Sequence, residues 1–366
     1  MRRSLWMLPA LLTIAATGLT LSRSKRSWVR VWDFPRVQVA LLGSATLAAS
    51  RASRLRDLRA TRAERRGSPL PRVVEGLLAA ATVYQWLCVW RYTPVAPRET
   101  ERARCPQGPG YLSIVEANVL QDNRDAKRLI ALVRERSPDV VVCVETDRWW
   151  CEALETLASS HPHRIAVPLD NTYGMLVMSR LPLEDARVEY LTDREIPSIT
   201  ARVILDDGTR VRLHCLHPRP PSPDKADSSL QRDSELAIIG RRVEHERHPV
   251  VVCGDLNDVA WSRTTRLFQR LSGLLDPRKG RGLFSTFNAF TPGLRFPLDH
   301  LFHSKDFRLV SLGVLPKIGS DHFPMHVVLS HEPGAAVSQQ APARHGDEEE
   351  EAVETISERA EETAAS

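Results

Sequence analysis

Val250-Val-Val-Cys-Gly-Asp-Leu-Asn-Asp258 decides the fold. Its four leading residues are apolar, three of them β-branched, and read as a strand buried on both faces. Gly254 breaks the run, and two acids and an amide follow at once. In layered α/β folds ligands bind outside the carboxyl ends of such strands.

Working outward, the same pattern recurs. Ser113-Ile-Val-Glu-Ala-Asn118, Val140-Val-Val-Cys-Val-Glu145 and Leu213-His-Cys-Leu-His217 each end an apolar run on an amide, an acid or a histidine. Pro297-Leu-Asp299-His300 and Gly319-Ser-Asp321-His322 complete the set. Between them lie helical spacings after Asp122-Asn123 and over 147–159, 227–246 and 260–271. Strand-like runs cover 163–167, 174–179, 186–191, 198–205 and 210–216, with a hairpin at Asp206-Asp207-Gly208, and further short runs fall near 298–303, 308–315 and 325–329. Residues 111–330 therefore read as an α/β domain of mixed sheets covered by helices, with six polar loops free to converge.

Oxygen donors without thiolates suit a hard cation, and Glu145 and Asp321 are the natural carboxylates for Mg²⁺, with Mn²⁺ as the alternative. His322 paired with Asp299 suits acid–base or charge-stabilising work. Asp255 can take a proton from water, and Asn257 can hydrogen-bond a phosphate oxygen without repelling it. Taken singly, Glu145 also reads as a helix cap, as do Asp122 and Asp258. His214 reads as structural, and His161, His163, His245 and His248 as solvated.

The ordered set resembles the endonuclease/exonuclease/phosphatase superfamily, the deoxyribonuclease-I-like fold, over about 111–330. The resemblance implies a four-layer sandwich, two mixed β-sheets flanked by helices. It implies that Asn118, Glu145 and Asp321 serve the metal and that His217 contacts phosphate. Asp255 would align or activate water beside Asn257, Asp299 would orient the terminal His322, and Arg232 would be structural. The usual Gln before the metal Glu is Val144 here. The Pro-rich loop after His217 resembles a membrane-anchored bacterial branch with three N-terminal spans and an exoplasmic catalytic domain, associated with polyprenyl pyrophosphate hydrolysis.

Charge is divided along the chain. Residues 1–104 carry +13, residues 105–330 carry zero and residues 331–366 carry −8. A neutral catalytic segment lacks the basic stripe expected of a protein that grips long nucleic acid. Residues 1–92 contain three apolar runs, Leu5 to Leu21, Val37 to Ser50 and Val73 to Trp90, flanked by tryptophans, and read as a membrane anchor of about three transmembrane helices. The Arg51–Arg72 segment holds eight arginines, against five Lys/Arg in 22–36. That bias puts this loop in the cytoplasm and the catalytic domain on the exoplasmic face of the plasma membrane. Residues 93–110 read as a Pro/Gly linker and 331–366 as an acidic disordered tail. Cys143 and Cys253 fall in strand-like runs and read as buried thiols.

The expectation is a membrane-anchored, Mg²⁺-dependent phosphohydrolase that cleaves a lipid-linked or small phosphate by in-line water attack, with nucleic acid disfavoured. The alternatives are a metal-dependent endonuclease, a sphingomyelinase-like phosphodiesterase, or a catalytically inactive membrane-tethered binding protein.

Overall fold

A computed structural model of the chain describes residues 6–57, 70–104, 107–221, 227–344 and 346–365. Three antiparallel helices lead: α1 (Met7–Leu21), α3 (Arg36–Asp57) and α4 (Leu70–Val89), with the one-turn α2 (Ser27–Arg30) between the first two. Two sheets follow. One has the order β10-β11-β1-β2-β4-β3 and the other β5-β6-β7-β8-β9. The first is built from β1 (Tyr111–Asn118), β2 (Val140–Val144), β3 (His163–Val167), β4 (Met175–Ser179), β10 (Phe307–Val314) and β11 (Met325–His331). The second takes β5 (Leu183–Glu189), β6 (Ser198–Ile204), β7 (Arg210–Cys215), β8 (Val250–Asp255) and β9 (Asp299–His303).

Alternation along the strands explains the layers. Val140, Val142 and Val144 face Val211, Leu213, Val251 and Cys253 in the core between the sheets. Their neighbours Val141 and Cys143 face outward onto α5 (Ala126–Arg136) and α6 (Arg148–Ala153). Val250 and Val252 likewise pack on α7 (Leu230–Glu244) and α8 (Arg263–Ser272). The sandwich is thus helices, sheet, sheet, helices, as expected.

Each sheet contains one parallel pair, β1 with β2 and β7 with β8. The carboxyl ends of these pairs bring Asn118, Glu145, His217 and Asp255 together. β9 enters antiparallel beside β8 with Asp299 opposite Asp255. β11 enters antiparallel beside β1 just after His322. Topology alone therefore gathers residues from six loops.

The acidic tail departs from expectation. Residues 346–365 form a 20-residue helix, α10 (Gly346–Ala365), after the short α9 (Ala335–Ser338). α10 docks on α7 and α8 through Ala352, with Ile356 beside it, against Ala237 and Leu271. Its acids meet arginines, with Glu349 on Arg241 at 2.8 Å, Glu351 on Arg263 and Glu348 on Arg270. Charge on the tail alone predicts disorder, whereas the basic surface of α7 and α8 gives the acids partners. The linker is fastened too: Glu99 pairs with Lys279 at 2.9 Å, and Leu309 donates its N–H to Glu101 O at 2.9 Å.

Among the described residues one helical stretch, Leu70–Tyr92, is long and apolar enough to cross a membrane, and Met7–Leu21 is apolar but shorter. α3 is long enough but carries Arg51 and Arg54 near its end. Three full spans are therefore not established by length and composition. Residues 58–69, which hold much of the arginine-rich loop, lie outside the described residues.

The bundle buries polar side chains beside a small apolar cluster of Ala10, Val74 and Leu78 and exposes many of its leucines. Thr13, Thr17, Thr20, Thr82 and Gln85 are buried, while Leu8, Leu11, Leu12, Leu41, Leu77 and Leu87 are exposed. Gln85 donates to Thr17 Oγ1 at 3.0 Å and Trp86 to Ser44 Oγ at 3.0 Å. The domain-proximal end of the bundle packs on the catalytic domain. There Phe34, Val37, Trp86, Val89 and Tyr92 meet Val259, Trp261, Leu298, Phe287 and Phe296.

Candidate active site

Asp255 is the hub. It closes β8, is 1% exposed, and its Oδ1 accepts the N–H of Asn257 at 2.9 Å. Its Oδ2 accepts from Asn118 Nδ2 at 3.1 Å and lies 3.5 Å from His322 Nε2 and 3.8 Å from His217 Nε2. Burial raises its pKa to about 6, against the lowering pull of His322 and His217. An acid held there is ionised at neutral pH and still basic enough to take a proton from water.

His322 Nδ1 faces Asp299 Oδ2 at 2.8 Å. Burial alone would lower the imidazole, but Asp299 and Asp255 outweigh it and raise it to about 10. Asp299 itself stays below the usual range despite burial, because His322 is charged beside it. The His322 N–H is held by Ser320 Oγ at 2.9 Å, and Phe287 lies against its ring at 4.9 Å.

The second centre is Glu145, just beyond β2 with φ of 63°. It does not cap α6, because Asp147 does so by accepting from Trp150 N at 2.9 Å. Glu145 accepts from Asn118 Nδ2 at 2.8 Å and from Gln121 N at 3.3 Å. Burial raises its carboxyl, and Asp321 adds to that rise. Among the described residues neither Glu145 nor Asp321 has an ion-pair partner. Both acids feel each other or the His322 imidazole electrostatically, and oxygen donors of this kind fit a hard divalent ion.

Asn118 stands between two acids. Its Nδ2 serves Glu145 and Asp255, and its Oδ1 accepts from Leu120 N at 3.0 Å. Turning the amide over would aim its oxygen at two carboxylates and face its NH₂ to an N–H, so the network fixes the orientation. Asn257 is held at the other side of Asp255. Its Nδ2 donates to Pro218 O at 2.9 Å and so ties β8's end to the loop after His217. Asp255, Asp299 and His322 lie close enough to suggest a metal cluster. The His322–Asp299 hydrogen bond occupies that arrangement, and the Glu145–Asp321 side suits a hard cation better.

Other groups emerge only in three dimensions. Tyr173 lies 5.5 Å from His217 and carries Arg219 over its ring at 5.8 Å. Glu116 is 1% exposed beside Asp299 and Asp255 and is pushed well above the carboxylate range by burial. Glu116 stands two residues before Asn118, on the same face of β1, so strand periodicity could have found it. Arg232 is buried as expected, donating to Asn257 O at 3.1 Å and pairing with Asp233 at 2.9 Å. Asp258 is no cap; it lies 3.5 Å from Arg232 and accepts from Ser262, which caps α8. Asp122 caps nothing either, since α5 begins after Asp125. His161 is buried on Pro138 O at 3.0 Å rather than solvated.

With that geometry established, the endonuclease/exonuclease/phosphatase family model matches residues 115–322. Zebrafish (D. rerio) TDP2 in complex with a single-strand DNA product is similar at 19% identity and a TM-score of 0.51, covering 60% of this chain and 99% of that one. A family protein from Bacteroides thetaiotaomicron gives 18% identity and a TM-score of 0.51 over 62% and 100% of the two chains. One from Beutenbergia cavernae gives 22% and 0.50 over 61% and 72%. No curated protein matches the chain. Fold, family match and site agree: the chain belongs to the endonuclease/exonuclease/phosphatase family and is a metal-dependent hydrolase of phosphoester bonds.

Proposed function

We propose that this protein is a membrane-anchored, Mg²⁺-dependent phosphohydrolase acting on a lipid-linked phosphate or pyrophosphate from the exoplasmic side. The observation that carries the reading is the placement of polar and apolar side chains in the N-terminal bundle. Hydroxyls and an amide hydrogen-bond inside it while leucines face out, which suits helices whose solvent is hydrocarbon. Trp28, Trp32 and Trp90 are exposed at the catalytic-domain end, where an interfacial belt would lie.

The chemistry follows from the chain's own groups. Asp255 takes the proton of a water aligned on phosphorus. His217 and the imidazolium of His322 flank that carboxylate and grip the phosphoryl oxygens, and Asp299 holds His322 in orientation. Asn118 fixes Asp255 relative to Glu145. A divalent ion on Glu145 and Asp321 would supply Lewis-acid stabilisation of the developing charge.

The test is product formation by the full chain in detergent with Mg²⁺. It compares a polyprenyl pyrophosphate, phosphatidylglycerol, sphingomyelin and plasmid DNA, read as inorganic phosphate, phosphoglycerol, phosphocholine and nicked DNA respectively. Fastest turnover of the polyprenyl pyrophosphate is expected. Preferred cleavage of sphingomyelin or of DNA would replace the reading with the phosphodiesterase or the nuclease.

A further inference from the structure

The catalytic mouth has an apolar lip that the chemistry does not use. Residues 287–296 form a hairpin, with Phe287 and Phe296 bridged to each other and Phe287 N donating to Phe296 O at 3.0 Å. At its tip Phe290 is 53% exposed and Leu294 50% exposed. The domain exposes a few other large apolar side chains, Trp149, Val188, Tyr190 and Val337 among them, but these two stand together on one short loop beside the catalytic turn, as a surface for an apolar partner would place them.

Three observations say what that partner is. The tip touches the anchor: Gln38 Nε2 donates to Gly293 O at 3.1 Å, and Phe34 meets Phe296 edge-on at 5.7 Å. Leu41 and Leu42, exposed one turn further along α3, continue the same apolar surface away from the domain. The root of the lip is tied to the catalytic turn. Ala289 N donates to Asp321 O at 2.6 Å and Phe323 N to Thr286 O at 2.9 Å. Finally, cations stand beside the aromatics. Lys317 Nζ lies 4.8 Å from the Phe290 ring and the Arg295 guanidinium 4.9 Å from Phe323. Among the described residues neither cation pairs with a carboxylate. Apolar tip, flanking cations and continuity with the lipid-facing bundle match the layering of a bilayer surface, hydrocarbon below and phosphate above.

We propose that the 287–296 hairpin is a lipid-binding lip. Phe290 and Leu294 enter the outer edge of the hydrocarbon, and Lys317 and Arg295 engage the phosphate of a membrane lipid. The lip thereby holds the mouth containing His322 against the headgroup layer. The proposal rests on the membrane reading above and deepens it, because it specifies where a membrane-borne phosphate enters.

The test is photocrosslinking of the full chain in nanodiscs of phosphatidylcholine and fluorescent phosphatidylglycerol. p-Benzoylphenylalanine replaces Phe290, Val83 on the outer face of α4, or the distal Val337, one at a time. Lipid adducts at 290 and 83 but not at 337 are the expected result. An adduct at 83 with none at 290 overturns the lip and leaves the anchor standing. Adducts at neither overturn both the lip and the membrane reading, and adducts at all three make the labelling non-specific and remove the lip. The double variant Phe290→Ser/Leu294→Ser supplies a second readout. Its ratio of kcat/KM on a micellar polyprenyl pyrophosphate to kcat/KM on bis(4-nitrophenyl) phosphate should fall at least about tenfold, from the lost burial of two large apolar groups. A ratio within about twofold of wild type, measured against that scale, overturns the lip.

Discussion

His322 shows how far a single side chain is determined by its neighbours. Its imidazole is buried and yet charged, because Asp299 and Asp255 lie on either side of it. Replacing it with alanine removes the cation and leaves Asp255 without one of its two compensating imidazoles. His322→Ala should lower kcat/KM on bis(4-nitrophenyl) phosphate by about 10²–10⁴-fold, and a loss of less than about threefold, against that range, would remove His322 from the chemistry. The pH profile carries a second expectation. Asp255 acts only when ionised, and its pKa is raised to about 6. Activity should therefore fall tenfold per unit as the pH drops below that value at saturating metal. His322 acts when protonated and stays so to about 10, so no alkaline limb should appear near neutrality. A flat profile from pH 5 to 7 would contradict Asp255 as the base. Most of these residues were legible beforehand, because each stands within a few positions of a buried strand's end. The orientation of Asn118 and the turn of Asn257 toward Pro218 were not, since both depend on which hydrogen-bond partner another loop supplies. Glu116 was within reach of strand periodicity, but its approach to Asp299 and Asp255 depends on β8 and β9 of the other sheet.

At the scale of elements, the critical contact is between β8 and the loop leaving β7. Gly254 has φ of 137°, and a Cβ there would lie 2.0 Å from Leu216 O. Both the backbone conformation and the contact exclude a side chain, and the neighbour is backbone that cannot swing away. Gly254→Ala should cost about 4 kcal/mol, at the upper end for single substitutions, and lower the melting temperature by roughly 10 °C for a domain of this size. Gly208→Ala is the control. Gly208 has φ of 82° but open space around it, so it should cost only about 1 kcal/mol. Thermal unfolding followed by circular dichroism distinguishes the two, and equal losses would refute the steric account. The strands were readable because alternate residues had to be apolar on both faces. α10 was not, because its helix depends on partners more than 80 residues away, Arg263 and Arg241 among them. Composition speaks to whether a segment can fold alone, and α10 takes its apolar and ionic contacts from α7 and α8.

For the whole molecule, orientation is the open physical variable. α1 and α4 end at the catalytic domain and α3 begins there, so Arg51 and Arg54 lie at the end of α3 away from it. On the proposed orientation, with the arginine-rich end in the cytoplasm, a cysteine-reactive impermeant reagent should label Val337→Cys in intact cells. Labelling only after lysis would place the domain inside and favour a nucleic-acid substrate. The acidic helix adds a consequence of its own. Arg241, Arg263 and Arg270 form a cationic face on α7 and α8, and α10 neutralises it from within the chain, while Glu358 does the same for Lys25 at 2.6 Å. The protein thus carries its own decoy polyanion, a tethered competitor whose effective concentration no free polymer matches. A chain ending at Arg344 should elute from heparin at higher salt than the full chain, and equal elution would show that the face is masked by something other than α10. Elution at higher salt would make α10 a screen against loose adhesion of polyanions to the arginine face, with the catalytic mouth left to determine what binds.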